Sequence, residues 1–289
     1  MRIIDHLDEM TETARGWLTG GSVGFVPLRS ALHAGHLTLI QATRQDCQIS
    51  VVSIVPLAPD NASVAQVPLT ASRPNLAQEL QLLGNAGVDV VFMPRLEDFY
   101  PPQFSTYVTS SGPLMQRLEG ANRPGYLREV ATTATKLFQL VRPDIAYFGH
   151  KRAQEVAVIH RLVQDLNIDV NLHILPTARE TDGLAISSRN QLLSPRERKA
   201  ARVIYRALLL AKALVENREY QPSAIEKAMA NLMAKESLVK LEYAAVCHPD
   251  TFEDLLTIAP GTLFAIAVHI GAIRLIDNIL WLDDGNWLT

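Results

Sequence analysis

Residues 23–40 read VGFVPLRSALHAGHLTLI, and this stretch contains one complete strand-to-helix unit. Residues 23–27 form a short apolar run, which predicts a buried strand. From Leu37 onward the apolar side chains recur at helical spacing, so a helix follows after a short turn. A buried strand that runs into a helix in this way is typical of a parallel sheet covered by helices.

The same alternation continues along the chain to about residue 175. Apolar, β-branched runs predict strands at 49–55, 88–92, 145–148 and 168–175. Amphipathic spacing predicts helices at 5–18, 74–86, 125–141 and 151–166. Three prolines among small residues predict a loop over 56–72. The order predicts an α/β fold with a doubly wound, Rossmann-like parallel sheet, in which ligands bind beyond the carboxyl ends of the strands.

The pattern changes after Pro176, where we place a domain boundary. Two long helical patterns are followed by three strand-like runs: 195–216, 222–235, 243–247, 263–268 and 273–280. We therefore predict a nucleotide-binding domain over 1–176 and a smaller α+β domain over 177–289.

Composition excludes several classes of protein. Lys and Arg number 27 and Asp and Glu 30, a net charge of −3 without basic runs, so we expect no nucleic-acid partner. Cys47 and Cys247 are the only cysteines and have no nearby partner, which argues against a disulfide scaffold or a structural zinc site. The longest apolar stretch, 263–270, is too short to cross a bilayer. We expect a soluble, cytoplasmic protein without a membrane partner.

His33-Ala-Gly-His36 lies where the first strand turns into its helix. A helix N-terminus offers free N–H groups and partial positive charge to an anion, and Gly35 permits close approach. Two histidines three residues apart share one helix face and could donate to phosphate oxygens. The alternative is that His33 and His36 are ordinary polar residues at a helix start.

Two further motifs suit a triphosphate. Ser187, Ser188 and Arg189 place two hydroxyls beside a guanidinium, although a capped turn with a surface arginine would look the same. Lys151 opens a helix after the strand that ends near Gly149, although an exposed lysine at a helix start is also common. Together with the histidines, these motifs resemble the arrangement of nucleotidyl transferases and class I synthetases. This resemblance implies attack on the α-phosphate of ATP to form an adenylate.

These residues resemble the pantothenate synthetase family over nearly the whole chain. The matching segments include VGFVP at 23–27, ALHAGH at 31–36, LEGANRPG at 118–125, RPDIAYFG at 142–149, DGLAISSRN at 182–190 and RLIDN at 274–278. The resemblance implies a doubly wound N-terminal domain, a small C-terminal lid domain and a homodimer.

The resemblance also implies a two-step reaction. The carboxylate of an acid attacks the α-phosphate, with Mg²⁺ on the phosphates, and an amine then attacks the acyl-adenylate and releases AMP. His33 and His36 would stabilise the first transition state, and Lys151, Ser187, Ser188 and Arg189 would hold the triphosphate. We assign ATP binding to Pro27, Gly35, Phe148, Gly149, Lys151 and Ile186, and we assign no metal ligands.

The sequence departs from the family pattern where that family holds its acid, pantoate. Arg29 stands in the Pro-Thr-Met-Gly motif, and Ala58 and Glu155 replace the two glutamines that hold pantoate. Arg152 replaces an aspartate that binds ribose, and Tyr126 stands where His follows Arg-Pro-Gly. We therefore assign Arg29, Ala58, Tyr126 and Glu155 to a changed acid pocket.

The rebuilt pocket leaves two interpretations of its charges open. Arg29 could bind an additional carboxylate or phosphate on a different acid, or Arg29 and Glu155 could pair with each other. The leading hypothesis is an ATP-dependent acid–amine ligase with an altered acid. The alternatives are pantothenate synthetase activity itself, a nucleotidyl transferase that keeps AMP in its product, and a non-catalytic ATP-binding protein.

Overall fold

The computed structural model describes residues 1–17, 20–55 and 75–289. The chain forms two compact units. Unit 1 comprises Met1–Ser111, Glu119–Phe148 and Val158–Leu175. Unit 2 comprises Gly112–Leu118, Gly149–Ala157 and Pro176–Thr289. The predicted loop 56–72, including Ala58, lies outside the described residues.

Unit 1 is built on a six-stranded sheet with the order β1-β4-β3-β2-β5-β6. The strands are β1 Arg2–Ile4, β2 Val23–Leu28, β3 Ile49–Ile54, β4 Val90–Phe92, β5 Ile145–Gly149 and β6 Asn171–Leu175. The helices are α1 Leu7–Trp17, α2 Ala34–Asp46, α3 Leu76–Asn85, α4 Tyr126–Val141 and α5 Ala153–Asp165, which begins in unit 2. Single helical turns occur at Leu96–Phe99 and Glu119–Asn122.

The strands pair in parallel, which confirms the predicted fold class. β2 pairs with β3 on one side and β5 on the other, so the strand order reverses beside β2. The central strand β3 is buried almost throughout because its apolar, β-branched residues are covered on both faces. Ligands bind such sheets at the reversal point, and the sequence motifs follow directly after β2 and β5.

Strand β1 differs from the prediction, which began the ordered chain with a helix. Arg2–Ile4 pairs in parallel with Val90–Phe92 at the edge of the sheet. Three residues are too few to show a period of two, so only the pairing defines this strand.

Unit 2 contains a four-stranded antiparallel sheet with the order β10-β9-β8-β7. Its strands are β7 Val239–Cys247, β8 Thr262–Ile270, β9 Ile273–Trp281 and β10 Trp287–Leu288. Its helices are α6 Pro195–Ala201, α7 Val203–Glu216 and α8 Pro222–Met233, with a helical turn at Pro113–Gln116 and 3₁₀ turns at His150–Arg152 and Ser188–Leu192. The apolar faces of α7 and α8 form one core with the inner face of the sheet.

Candidate functional site

The two motif histidines of unit 1 stack on each other at the start of α2. His33 is the N-cap residue in an extended conformation, and its carbonyl accepts from the backbone N–H of His36 at 2.8 Å. The two imidazole rings are nearly parallel, with centroids 3.6 Å apart. Both side chains are partly exposed, and Gly35 lies between them in the first helical turn. The arrangement presents two imidazoles at the positive end of a 13-residue helix, which suits an anionic ligand.

Three of the predicted ATP-binding residues, Pro27, Phe148 and Gly149, lie near the ends of β2 and β5. Pro27 is the fifth residue of β2, and Phe148 lies near the end of β5; both are partly exposed. A Cβ added to Gly149 would meet no atom within 4 Å, so the backbone there is open. Binding of ATP at this strand end stays a prediction.

Arg29 and Tyr126 have different surroundings within unit 1. Burial raises the pKa of Tyr100 to about 12, and the positive charge of Arg29 acts against that rise. Arg29 therefore lies within electrostatic reach of the Tyr100 phenol. Tyr126 is buried at the start of α4, and the Arg123 guanidinium lies 3.2 Å from its ring centroid. Tyr126 thus contributes a packing and cation–π contact at this position.

Lys151 is held in unit 2 by contacts to its side chain and to its backbone. Its Nζ donates to the carbonyl of Ile186 at 3.0 Å, which joins two of the predicted ATP-binding residues. Asn278, from β9, donates through Nδ2 to the carbonyls of His150 and Lys151 at 3.0 and 2.9 Å. The 3₁₀ turn that carries the lysine is therefore fixed from the C-terminal sheet.

The loss of water around Lys151 lowers its pKa to about 7. Asp277 opposes this shift, whereas the positive charges of Arg152, Arg189 and Arg179 add to it. At neutral pH the amine is thus poised between its charged and neutral forms. Three cations and one anion surround Lys151, so the local net charge is positive. An anionic ligand would compensate this charge.

The Ser187-Ser188-Arg189 segment forms the start of a short 3₁₀ turn. The Oγ of Ser187 accepts from the backbone N–H of Arg189 at 3.2 Å. The Arg189 guanidinium is exposed and donates to the carbonyl of Arg274 at 2.9 Å. Arg274 in turn binds the carboxylate of Glu242, with its Nη2 at 2.6 Å from Oε1. This geometry is compatible with both interpretations of the sequence, a capped turn and a phosphate-binding loop.

Arg152 and Glu155 form an ion pair at the start of α5. Their Nη1 and Oε1 atoms are 2.8 Å apart, and Glu155 is buried while Arg152 is partly exposed. Arg152 and Glu155 each depart from the family pattern, and from the sequence each received a separate interpretation. In the structure the charge of one side chain compensates the charge of the other. Their i, i+3 spacing at a helix start was the available signal.

Asp277, Asn278 and Arg179 were not among the predicted site residues. Asp277 and Asn278 are almost fully buried on β9, with 2% and 3% of their surface exposed. Arg179 binds Asp277 through two hydrogen bonds of 2.6 and 3.1 Å. Two signs in the sequence indicated that this strand does more than pack. Two polar residues are adjacent inside an apolar run, and both lie in the RLIDN segment that resembles the family.

Among residues 1–17, 20–55 and 75–289, no group of three or more His, Cys, Asp or Glu side chains could hold a metal ion. Within the same residues, no helix is both long and apolar enough to span a membrane.

Comparison with known proteins agrees with the predicted fold and family. The family model of pantoate-beta-alanine ligase matches residues 2–280. Pantothenate synthetase from Caldicellulosiruptor bescii is 41% identical over 285 residues, 97% of this chain and 99% of that protein. Pantothenate synthetase from Dehalococcoides mccartyi strain CBDB1 is 41% identical over 263 residues, 90% of this chain and 96% of that protein.

Solved structures agree as well. Pantothenate synthetase from Thermus thermophilus superposes with a TM-score of 0.86 at 37% identity, covering 96% of this chain and 98% of that one. Pantoate-beta-alanine ligase from Francisella tularensis, complexed with beta-gamma ATP and beta-alanine, gives a TM-score of 0.77 at 27% identity and covers 99% of both chains. The chain therefore belongs to the pantoate–β-alanine ligase family, whose members are ATP-dependent, AMP-forming ligases.

Proposed function

We propose that the chain joins a small carboxylic acid to an amine through an acyl-adenylate, and that its acid differs from pantoate. The observation that carries the second part is the Arg152–Glu155 ion pair. The family resemblance places an amide that holds pantoate at position 155, and here a buried carboxylate stands there. An amide can donate to a substrate oxygen, whereas an ionised carboxylate can only accept. A pocket rebuilt in this way favours an acid with a different set of donors.

The proposed reaction begins with attack of the acid's carboxylate oxygen on the α-phosphate of ATP. The bond between the α-phosphorus and the bridging oxygen breaks, and pyrophosphate leaves. His33 and His36 donate to the phosphate oxygens on which negative charge grows. Lys151, Ser187, Ser188 and Arg189 would bind the triphosphate. Mg²⁺ would enter with ATP and neutralise part of the phosphate charge.

In the second step the neutral amine attacks the acyl carbon, and AMP leaves with the electron pair of the broken C–O bond. The proton that the nitrogen loses passes to water. Positioning and charge stabilisation supply most of the acceleration, because neither step requires a protein nucleophile.

We also propose a homodimer, as the family resemblance implies; sedimentation of the purified protein tests this directly.

Pantoate itself is the second candidate acid. The observation in its favour is that relatives 41% identical over most of this chain are pantothenate synthetases. On this alternative, contacts other than the two glutamines hold pantoate.

The purified protein with ATP, Mg²⁺ and β-alanine decides between the two acids. One sample receives D-pantoate, and others receive hydroxy, keto and dicarboxylic acids, with AMP and the amide followed by mass spectrometry. AMP release only with another acid supports the altered pocket. Efficient pantothenate formation would contradict it and establish pantoate. No AMP release with any acid would contradict the ligase reaction itself.

A double variant tests whether the Arg152–Glu155 ion pair determines which acid is used. Arg152→Asp with Glu155→Gln restores the residue types that the family pattern has at both positions. We expect pantoate-dependent AMP release to rise and release with the preferred acid to fall. The matched control is Arg161→Asp with Asp165→Asn, which alters an exposed ion pair on the same helix. Equal effects of the two double variants would mean that the pair does not select the acid.

A further inference from the structure

We propose that Asp277 and Asn278 are positioning residues that act through Lys151, holding its turn and its ammonium group for the triphosphate. This inference rests on the proposed role of Lys151 in ATP binding. Neither residue needs to touch the nucleotide, because each acts on the lysine through contacts within unit 2.

Asn278 fixes the backbone of the lysine turn. One side-chain amide donates to two successive carbonyls, those of His150 and Lys151, at 3.0 and 2.9 Å. The amide is almost fully buried, so little competition from water weakens these bonds. His150 is also buried, and burial lowers its pKa to about 4, so it stays neutral and adds no charge beside the lysine. The turn therefore has one defined geometry.

Asp277 controls the charge around the lysine. Its carboxylate is the largest favourable electrostatic influence on the Lys151 ammonium. The same carboxylate binds Arg179, whose guanidinium also lies 4.2 Å from the Tyr205 ring centroid. Asp277 thus offsets the positive charge of Arg179, which would otherwise bear on Lys151 without compensation.

The two residues are adjacent on β9, and their functions are coupled. The Asp277 carboxylate accepts from the backbone N–H of Asn278 at 2.8 Å, which fixes both side chains relative to the strand. The strand itself pairs along its length with β8 in the centre of the sheet. A rigid sheet therefore sets both where Lys151 lies and how its charge is balanced, as preorganised binding requires.

The test uses the intact chain with Asn278→Ala and, separately, Asp277→Asn. Asn217→Ala is the matched control, since its amide also donates to a backbone carbonyl, at 2.7 Å, on an exposed helix end. The first readout is the rate at which acetic anhydride acetylates Lys151 between pH 6 and 10, followed by peptide mass spectrometry. This readout reports the lysine directly and does not require catalysis.

The proposal predicts opposite shifts for the two variants. In Asn278→Ala the freed turn lets water reach the ammonium, so the midpoint of Lys151 acetylation rises. In Asp277→Asn the anion is lost while Arg179, Arg152 and Arg189 remain, so the midpoint falls below the wild-type value of about 7. With ATP as the varied substrate, kcat/KM for AMP release falls on the order of 100-fold in Asn278→Ala, because the groups that bind the triphosphate are displaced. Asn217→Ala changes neither quantity.

Equal acetylation midpoints in all four proteins would overturn the proposal. If Asn278→Ala fails to fold, as its thermal midpoint would reveal, Asp277→Asn still carries the test because it keeps the size of the side chain. If the acetylation midpoints shift as expected but the wild type releases no AMP, the proposed function is contradicted. The influence of Asp277 and Asn278 on Lys151 is then still supported. If both variants release AMP at the wild-type rate, Asp277 and Asn278 do not position Lys151 for the triphosphate, even where they shift its acetylation midpoint.

Discussion

Replacing Lys151 by Met is expected to make the protein more stable and unable to use ATP. The ammonium has a pKa of about 7 in the folded protein, against an ordinary value of 10.5. At ~1.4 kcal/mol per unit, and with the amine half protonated at pH 7, folding carries a penalty of ~4 kcal/mol. Partial exposure of the side chain halves this figure to about 2 kcal/mol.

Part of that gain is lost when the lysine is removed. The hydrogen bond from Nζ to the Ile186 carbonyl disappears, which costs about 0.5–1 kcal/mol. The net expectation is a gain of about 1–1.5 kcal/mol, or a rise of roughly 2–6 °C in thermal midpoint for a chain of this size. Methionine replaces the unbranched apolar stem of lysine and lacks only the terminal amine, so most of the packing of the stem is retained.

The pH dependence provides the sharper test. Because the lysine pKa is depressed in the folded protein, the unfolded chain binds more protons between pH 7 and 10.5. The penalty is therefore complete below pH 7 and disappears as the pH approaches 10.5. The thermal midpoint of Lys151→Met should exceed that of the wild type most at pH 6 to 7. Near pH 10.5 this gain should be gone, and the variant should lie slightly below the wild type because the hydrogen bond to Ile186 is missing.

Thermal unfolding followed by fluorescence across pH 6 to 10.5 measures this difference, with Lys227→Met as control. Lys227 is exposed on α8, so its replacement should leave the midpoint unchanged at every pH. A Lys151→Met protein that is less stable than the wild type at pH 7, or a difference that does not depend on pH, would refute the reasoning.

Three further predictions concern other parts of the two units. His36→Ala should lower kcat for AMP release on the order of 100-fold with an unchanged thermal midpoint, because one donor to the transition state is lost; steady-state kinetics checks this. Gly183→Ala should lower the thermal midpoint by several degrees, since Gly183 has φ of +89° and an added Cβ would overlap the Tyr205 ring. Arg274 is the main cause of the lowered Glu242 pKa, so Glu242→Gln should destabilise the protein above the ordinary pKa of 4.5, and the difference should fade as the pH falls through the folded-state pKa.

The elements of unit 1 could be predicted because their signals are local. Runs such as Ile49–Ile54 combine β-branched residues with nearly complete burial, and the helices between them are amphipathic. The start of α6 was equally clear, since Ser194 and Glu197 form a capping box around Pro195. The break between α6 and α7 was not predictable, because Arg202 keeps helical dihedral angles and no Gly or Pro marks it.

The site could be predicted only where its residues are close in sequence. His33 and His36 lie in one helical turn, and the resemblance to the family pointed to both them and Lys151. The contacts of Asn278 with the lysine turn join residues 128 and 127 positions apart, and no local pattern encodes such a pairing. The Arg152–Glu155 pair lay within reach of helical spacing rules, but its burial depends on tertiary packing.

The distance along the chain between Asn278 and the lysine turn also bears on synthesis of the protein. A ribosome completes every phosphate-binding motif before it reaches β9, yet the turn that carries Lys151 is held from that strand. A nascent chain therefore cannot acquire this lysine geometry until β9 has been synthesised and unit 2 forms its sheet. Proteolytic loss of β9 would abolish this geometry while leaving the motifs before Asp277 intact, so ATP turnover would report the integrity of the C-terminal region.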